Sequence, residues 1–271
     1  MKVGYQGETG SYSEIAAIKF FANFKSTFIP FKSFHDLFDN VENALLDAAV
    51  IPIENSIEGS VNETYDLLME KPLFVVGEIY QRVRHCLIAN NEHSKIEIVY
   101  SHPQALAQCR SYLRNKSLEP VPFYDTAGSV KYIKENSFSN CAAIASRRAA
   151  EIYNMKIVEE GIEDKFNNFT RFLIISKDPN HKSANNKTSI IFSISHKPGS
   201  LFLVLKEFAS RNINLTKIES RPKKDIPWEY YFFVDFEDNS EKSFVKESLL
   251  AIKNETIFFK LLGSYEKAEI Y

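Results

Sequence analysis

The sequence predicts an α/β protein of two domains, the second of them a βαββαβ unit of the ferredoxin-like kind. Three observations carry this. Strands and helices alternate up to residue 176, which is the pattern of helices packed on a sheet. A polar stretch, KDPNHKSANNK at 177–187, then separates two apolar runs and reads as a linker. Beyond it the order is strand, helix, strand, strand, helix, strand. A chain of 271 residues is also longer than one small core needs.

Lys2–Gln6 opens as a strand, and the segment from Ser13 to about Asn23 follows as a helix. Thr27–Phe31 is a short strand. Ser33 caps a helix that places Phe34, Leu37, Phe38, Val41 and Leu45 on one face. Ala48–Ile53, Phe74–Arg84, Cys86–Ala89 and Ile96–Tyr100 read as extended, and a helix is expected from Pro103 to about Arg114. Pro120–Phe123 and Cys141–Ile144 are further strands, each followed by a helix. After the linker the expected elements are strand 188–195, helix 199–211, strands 215–221 and 228–236, helix 241–252 and strand 257–263. Ile190, Phe192 and Ile194 share one face, as do Tyr230, Phe232, Val234 and Phe236. Such a sheet carries helices on one side only, so its other face or its edges need a cover, for which a partner subunit is expected.

Composition excludes several classes. Hydrophobic residues make up 44% and charged residues 25%, and 33 Lys and Arg stand against 35 Asp and Glu, for a net charge of −2. No basic run marks a nucleic-acid surface, so any anion must be held by local groups. MKVGYQGETG lacks a signal core and no window of 18 apolar residues occurs, so no membrane association is expected. The three cysteines, Cys86, Cys109 and Cys141, lie among apolar or small residues. They read as buried free thiols in a reducing compartment, the cytoplasm.

Four polar segments sit where strands hand over to helices: ETGSYSE at 8–14, ENSIEGSVNET at 54–64, SHPQALAQ at 101–108 and DTAGS at 125–129. Each supplies small polar groups at a helix N-terminus, where free N–H groups and the dipole favour anions. Capping alone explains any one of them. Glu54, Asn55, Gln104 and Gln108 add more hydrogen-bonding reach than a cap requires. NNFTRF at 167–172 adds an arginine at the mouth of an apolar strand, which is costly without an anionic partner. That partner is either a ligand or a carboxylate such as Glu159, Glu160 or Asp164. Together these segments suit a small dianionic ligand. GYQGETG is neither a dinucleotide fingerprint nor a P-loop. No metal-ligand spacing or nucleophile elbow occurs, so neither a metal nor a cofactor is expected. His85 reads as a structural or surface histidine, and His102 is ambiguous.

The ordered set GYQGETGSYSEIAA, IPIENSIEGSVNETYDLL, HCL, SHPQALAQC, DTAGS, CAAIASRRAAEIY and NNFTRF resembles the prephenate dehydratases. The second domain, with HKPGSLFLVLKEF, KIESRP and LGSY, resembles the ACT regulatory domain of the same family. The resemblance covers essentially the whole chain and implies a two-lobed catalytic domain like a type II periplasmic binding protein, with the site between the lobes. One lobe would be residues 1 to about 78 with about 158–180, and the other about 79–157, within a catalytic domain 1–180 ahead of an ACT domain 188–271. No chorismate mutase region precedes Met1, so the chain resembles the monofunctional form.

The resemblance implies conversion of prephenate to phenylpyruvate, water and carbon dioxide in phenylalanine biosynthesis, with phenylalanine as inhibitor. It implies that Thr170, Asn55, Ser101 and Gln108 are catalytic, with Glu54 a rival proton donor. Arg171 is implied to bind a substrate carboxylate, and Ser56, Thr126, Ser129 and Ser11 are expected beside it. Gly199, Ser200 and Leu201, where the family often has Gly-Ala-Leu, and Glu219, Ser220, Arg221 and Pro222 are implied to bind phenylalanine between two ACT domains of a dimer or tetramer. The rivals are arogenate dehydratase, acting on the amino analogue of prephenate, and a non-catalytic amino-acid sensor.

Overall fold

The structure, a computed structural model, describes residues 1–91, 95–182 and 184–270. Ser183 of the linker and Tyr271 of the second domain lie outside them. The chain begins with β1 (Lys2–Gln6), α1 (Tyr12–Phe20), β2 (Thr27–Phe31), α2 (Phe34–Glu42), β3 (Ala48–Asn55), the short β4 (Gly59–Ser60), α3 (Asn62–Glu70) and β5 (Phe74–Arg82). It then crosses to β6 (Cys86–Ala89), β7 (Ile98–Ser101), α4 (Pro103–Gln108), α5 (Arg110–Asn115), β8 (Glu119–Pro122), α6 (Thr126–Asn136), β9 (Cys141–Ala145), α7 (Arg147–Ile152) and β10 (Lys156–Glu160). It returns through β11 (Phe169–Ser176). The last domain is β12 (Lys187–Ser193), α8 (Ser200–Ala209), β13 (Leu215–Pro222), β14 (Tyr230–Glu237), α9 (Ser243–Glu255) and β15 (Phe258–Tyr265).

Local chemistry sets these boundaries. Ser33 accepts the Asp36 N–H at 3.3 Å and starts α2, and Asp125 accepts the Gly128 N–H at 2.8 Å and starts α6. The single helix expected over 103–114 is broken at Cys109 into α4 and α5. β10 has no counterpart in the sequence reading; its half-exposed KIVEE pattern alternates too weakly to stand out.

Three sheets result. The first has the order β2-β1-β3-β11-β5, with β4 on β3, and its β11 runs antiparallel to both neighbours. The second is β10-β6-β9-β7-β8, and the third is β13-β14-β12-β15, the antiparallel order of the ferredoxin-like unit. Two α/β lobes joined by two crossings form the layout of a type II periplasmic-binding-protein fold. The crossings are 83–85 and 161–168, not the 78/79 and 157/158 borders read from the sequence, because β5 continues to Arg82 and β10 pairs with β6 of the second lobe. They are stitched together: Val83 N–H donates to Asn168 O at 2.8 Å, and Gly161 N–H to His85 O at 2.8 Å.

Strand β11 is shared by two cores. Phe172 and Ile174 pack with Val3, Tyr5, Ala16 and Val50 against α1. Leu173 and Ile175 pack on the opposite face with Leu37, Ile51 and Val75, and that core continues into Ile191, Phe233, Leu262 and Tyr265 of the third sheet. The face of the third sheet for which a partner subunit was expected is therefore covered by the first lobe of the same chain. Its other face carries Ile190, Phe192, Val234 and Phe236 against Val204 and Phe208 of α8 and Val245 and Ile252 of α9. Gly263, at φ +137°, is required at this junction: a Cβ there would stand 2.5 Å from the carbonyl oxygen of Val75.

Candidate active site

A cleft of about 490 Å³ opens between the lobes, a volume suited to a small ligand. Gln6, Ser11, Tyr12, Asn55, His85, His102, Gln104, Gln108, Asp125, Thr126 and Thr170 are among its walls. The helix starts that border it follow from the capping residues. Ser11 accepts the Glu14 N–H at 3.3 Å, and Thr126 opens α6 behind Asp125.

Asn55 and Thr170 meet because of strand register. The pairs Phe172↔Pro52 and Arg171↔Glu54 skip Ile53, a bulge that reverses the facing of the last residues of β3. Beyond it Asn55 lies opposite Thr170 and Glu54 opposite Arg171. Adjacent strand residues point to opposite faces, so Asn55 and Thr170 face the cleft while Glu54 and Arg171 face the third sheet.

The cleft side forms one hydrogen-bond network, with Asn55 Nδ2 donating to two partners and Gln108 Oε1 accepting from two. Asn55 Oδ1 accepts the backbone N–H groups of Ile57 at 2.9 Å and Glu58 at 3.0 Å, so its Nδ2 must be the donor end. That Nδ2 donates to Asn168 Oδ1 at 2.8 Å and to Thr170 Oγ1 at 3.0 Å. Asn168 Nδ2 then donates to Gln108 Oε1 at 2.8 Å. The same oxygen lies 2.9 Å from His85 Nε2, so the imidazole carries its proton on Nε2. His85 is buried, and burial lowers its pKa below the usual histidine value, which keeps it neutral. Glu163 accepts the His85 backbone N–H at 2.9 Å. The network runs from the first lobe through both crossings to the second lobe. At its first-lobe end it leaves the Thr170 proton free to point at a ligand.

Neither Lys nor Arg is among the described residues that line the cleft, while Glu58, Glu63 and Asp125 are. Burial raises the Asp125 pKa, against the stabilising N–H of Gly128. The starts of α1, α3 and α6 border the cleft, and helix N-termini favour anions through their free N–H groups. Among the described residues no cluster of three or more His, Cys, Asp or Glu could hold a metal ion.

Several expected residues lie elsewhere. Arg171 does not enter the cleft: it is 5% exposed and bonds Glu78 through Nε at 2.8 Å and Asp235 through Nη1 at 2.5 Å. Glu159, Glu160 and Asp164 are not its partners either; they meet Lys116, Arg147 and the Ser111 N–H. Glu54 pairs with Lys217 of β13 at 2.8 Å, turned from the cleft, and is no candidate for a proton donor there. Ser101 is fully buried and donates to Ile144 O at 2.6 Å, tying β7 to β9. Ser129 is also fully buried and donates to Thr126 O at 2.6 Å. Ser56 is exposed and does not line the cleft; it donates to Asn167 O and accepts the Phe169 N–H, each at 3.0 Å, which pins the loop before Thr170. Gly199, Ser200 and Leu201 line a second cavity of about 470 Å³ with Trp228, Tyr230 and Phe232. Glu219–Pro222 do not line it. They lie on the edge strand β13, where Arg221 reaches Asp66 at 3.2 Å and Glu219 comes within 3.9 Å of Lys217.

His85, Asn168 and Tyr12 are the site residues that sequence reasoning missed. The signal was spacing across the fold: His85 of HCL and Asn168 of NNF lie on the two crossings, and only their pairing brings both onto Gln108.

The comparisons with known proteins follow the same division. The prephenate dehydratase family profile matches residues 3–180, and the ACT domain profile matches residues 188–252. A prephenate dehydratase of Methanocaldococcus jannaschii is 44% identical over 264 residues, covering 94% of this chain and 94% of that protein. An Arabidopsis thaliana protein named arogenate dehydratase/prephenate dehydratase 2 is 42% identical, over 98% of this chain and 72% of its own length. The crystal structure of a prephenate dehydratase from Arthrobacter aurescens in complex with L-Phe superposes with a TM-score of 0.89 at 28% identity, covering 98% of this chain and 90% of the other. By its folded architecture and by these matches, the chain belongs to the prephenate dehydratase family and carries an ACT domain after the catalytic one.

Proposed function

We propose that the protein converts prephenate to phenylpyruvate, water and carbon dioxide, and that the cleft around Thr170 is where this happens. The single observation that carries the reading is the hydrogen bond that Asn55 donates to Thr170 at the wall of the cleft. Because Asn55 Nδ2 donates to Thr170 Oγ1 at 3.0 Å, the threonine proton is not used in that bond and is free for a ligand. In the reaction the bond to the ring carboxylate breaks and its electron pair enters the ring. The carbon–oxygen bond to the ring hydroxyl breaks in turn, and the departing oxygen takes up one proton to leave as water. The ring becomes aromatic, which supplies much of the driving force. Thr170 hydrogen-bonds the departing oxygen, which lowers the barrier where charge develops. A threonine is too weak an acid to release its proton at neutral pH, so the proton itself comes from a relay or from water.

Gln108, Asn55, Ser11 and Thr126 orient the substrate from both lobes, and helix N-termini hold its carboxylates. Holding the departing carboxylate by N–H dipoles and not by a fixed cation avoids stabilising the ground state that must decompose. The catalytic unit is residues 1–180 and the regulatory unit 188–271. Phenylalanine binds the regulatory unit at Gly199–Leu201 and shifts the population toward a less active arrangement of the lobes. Self-association as a dimer or tetramer completes that site through Ser220 on the exposed edge strand β13. The three buried free thiols fit a reducing cytoplasm.

One observation favours a second reading. Glu58, Glu63 and Asp125 line a cleft that has no Lys or Arg among its described lining residues, which suits the ammonium group of arogenate. Supplying the purified protein with prephenate and with arogenate, and measuring phenylpyruvate and phenylalanine formation separately, tests both. Failure to consume prephenate would sink the first reading.

A further inference from the structure

Arg171 belongs to a buried cluster shared by the two domains. Its guanidinium bonds Glu78 of β5, Asp235 of β14 and, at 3.1 Å, the hydroxyl of Tyr265 on β15. Glu78 also accepts Lys187 Nζ at 2.8 and 3.0 Å and the backbone N–H of Ala268 at 3.0 Å. Asp235 accepts Ser189 Oγ at 2.5 Å, and that hydroxyl lies 2.6 Å from Tyr265. Two cations thus face two carboxylates away from water, with the remaining oxygens satisfied by hydroxyl and N–H groups. Replacing such pairs by apolar side chains is often neutral or stabilising. Stability therefore gives little reason for the cluster, and its placement gives a better one.

Arg171 is joined by one peptide bond to Thr170, and the two face opposite sides of β11. Any movement of the third sheet against the first lobe that displaces Asp235 pulls on the backbone that carries the Thr170 hydroxyl. The strand that supplies Asp235 also supplies Tyr230 and Phe232 to the cavity at Gly199–Leu201. The strand that supplies Lys187 and Ser189 runs on into Ile194 and Ser195 of the same cavity. Tyr230 and Asp235 are separated by about 17 Å of extended chain. Both strands are hydrogen-bonded to each other throughout, so they move as one body.

We propose that Arg171 is a positioning residue for Thr170, and that Asp235, through Arg171, couples occupancy of the cavity at Gly199–Leu201 to the reacting end of the cleft. This rests on the reading of Thr170 and of the regulatory cavity given above. Because the coupling is mechanical, it has a readout independent of turnover: the carbon-13 methyl resonance of Thr170.

The test compares the full-length wild type with Asp235→Asn and Arg171→Lys. Wild type should respond to phenylalanine by a shift of the Thr170 methyl signal. In D235N, kcat should fall about tenfold with KM changed less than about twofold. Phenylalanine should still raise its Tm while the concentration needed for half inhibition rises about tenfold or more, and the Thr170 shift should vanish. R171K keeps the charge and loses the fork, so its kcat should lie between those of wild type and D235N. If D235N proves unfolded, Ser189→Ala and Tyr265→Phe each remove the two hydrogen bonds that one hydroxyl makes within the cluster. Each should then lower kcat severalfold and weaken inhibition. Variants that lose Tm but keep wild-type kcat and inhibition per folded molecule would show a purely structural cluster and overturn the proposal. A wild type that turns over no prephenate but moves its Thr170 methyl on adding phenylalanine would sink the functional reading and leave the coupling standing. A wild-type methyl signal unmoved by bound phenylalanine would sink the coupling alone.

Discussion

Thr170 and Arg171 are neighbours in the chain and serve opposite sides of one sheet: the threonine hydroxyl faces the interlobe cleft, and the guanidinium lies in the junction with the ACT domain, 5% exposed. The separation follows from strand geometry and has consequences that can be measured.

Removing the Thr170 hydroxyl while keeping its shape isolates its part in the reaction. Thr170→Val should lower kcat by about 10²-fold or more, and Thr170→Ser should stay within about tenfold of wild type. KM should change little in either, because the interaction strengthens in the transition state. Steady-state turnover of prephenate gives the answer, and a valine variant at wild-type speed would remove Thr170 from the chemistry.

Asn55 sets the direction of that hydroxyl. Asn55→Asp replaces the donating amide with a carboxylate that accepts, so Thr170 turns its proton inward. The expected loss in kcat is about ten- to a hundredfold, with the fold retained in circular dichroism. Equal activity in N55D would mean that the polarity of the network is irrelevant.

His85 predicts a pH dependence of stability. Burial lowers its folded pKa below the value of about 6.5 in the unfolded chain. Between the two values the unfolded state binds more protons, so stability rises with pH across that window. The contribution is complete above the unfolded pKa and is lost as the pH falls through the folded one. His85→Gln removes the titration and keeps a donor toward Gln108. Its Tm should fall less than that of wild type on going from about pH 7 to about pH 5. Parallel Tm curves for the two proteins would contradict the assignment.

Glu54 and Ser101 separate structure from chemistry. Glu54→Gln breaks a partly exposed pair with Lys217, so it should cost less than about 1 kcal/mol and leave kcat within about twofold. Ser101→Ala removes the donor to Ile144 O and should cost about 1 kcal/mol of stability, with activity per folded molecule preserved. A collapse of kcat in either variant would return that residue to the cleft. Denaturant unfolding and turnover, measured on the same samples, decide both.

Much of this protein is dictated locally and was legible in its sequence. Alternation of apolar residues defines the strands, and Ser33, Ser11 and Asp125 start helices where their side chains can accept free N–H groups. The polar stretch at 177–187 follows the end of β11 and reaches the first residue of the third sheet, and the run of motifs identifies the family. Asn55, Gln108, Thr126, Ser11 and Thr170 could be read as a group and do line one cleft. The sequence reading placed Thr170 and Arg171 at one ligand, although strand parity makes neighbours face apart and only one of them can face the cleft. That depends on what packs on each side of β11, and the cover is a domain whose sheet begins at Lys187. The bulge at Ile53 likewise decides that Asn55, and not Glu54, enters the cleft. His85 and Asn168 become site residues because the two lobe crossings lie side by side. Local propensities act within a turn or a strand, whereas a side chain's partner across a sheet or between domains is chosen by tertiary packing. The carboxylates that hold Arg171 are 93 and 64 residues away in sequence, and only the docking of the third sheet on the first lobe brings them to it.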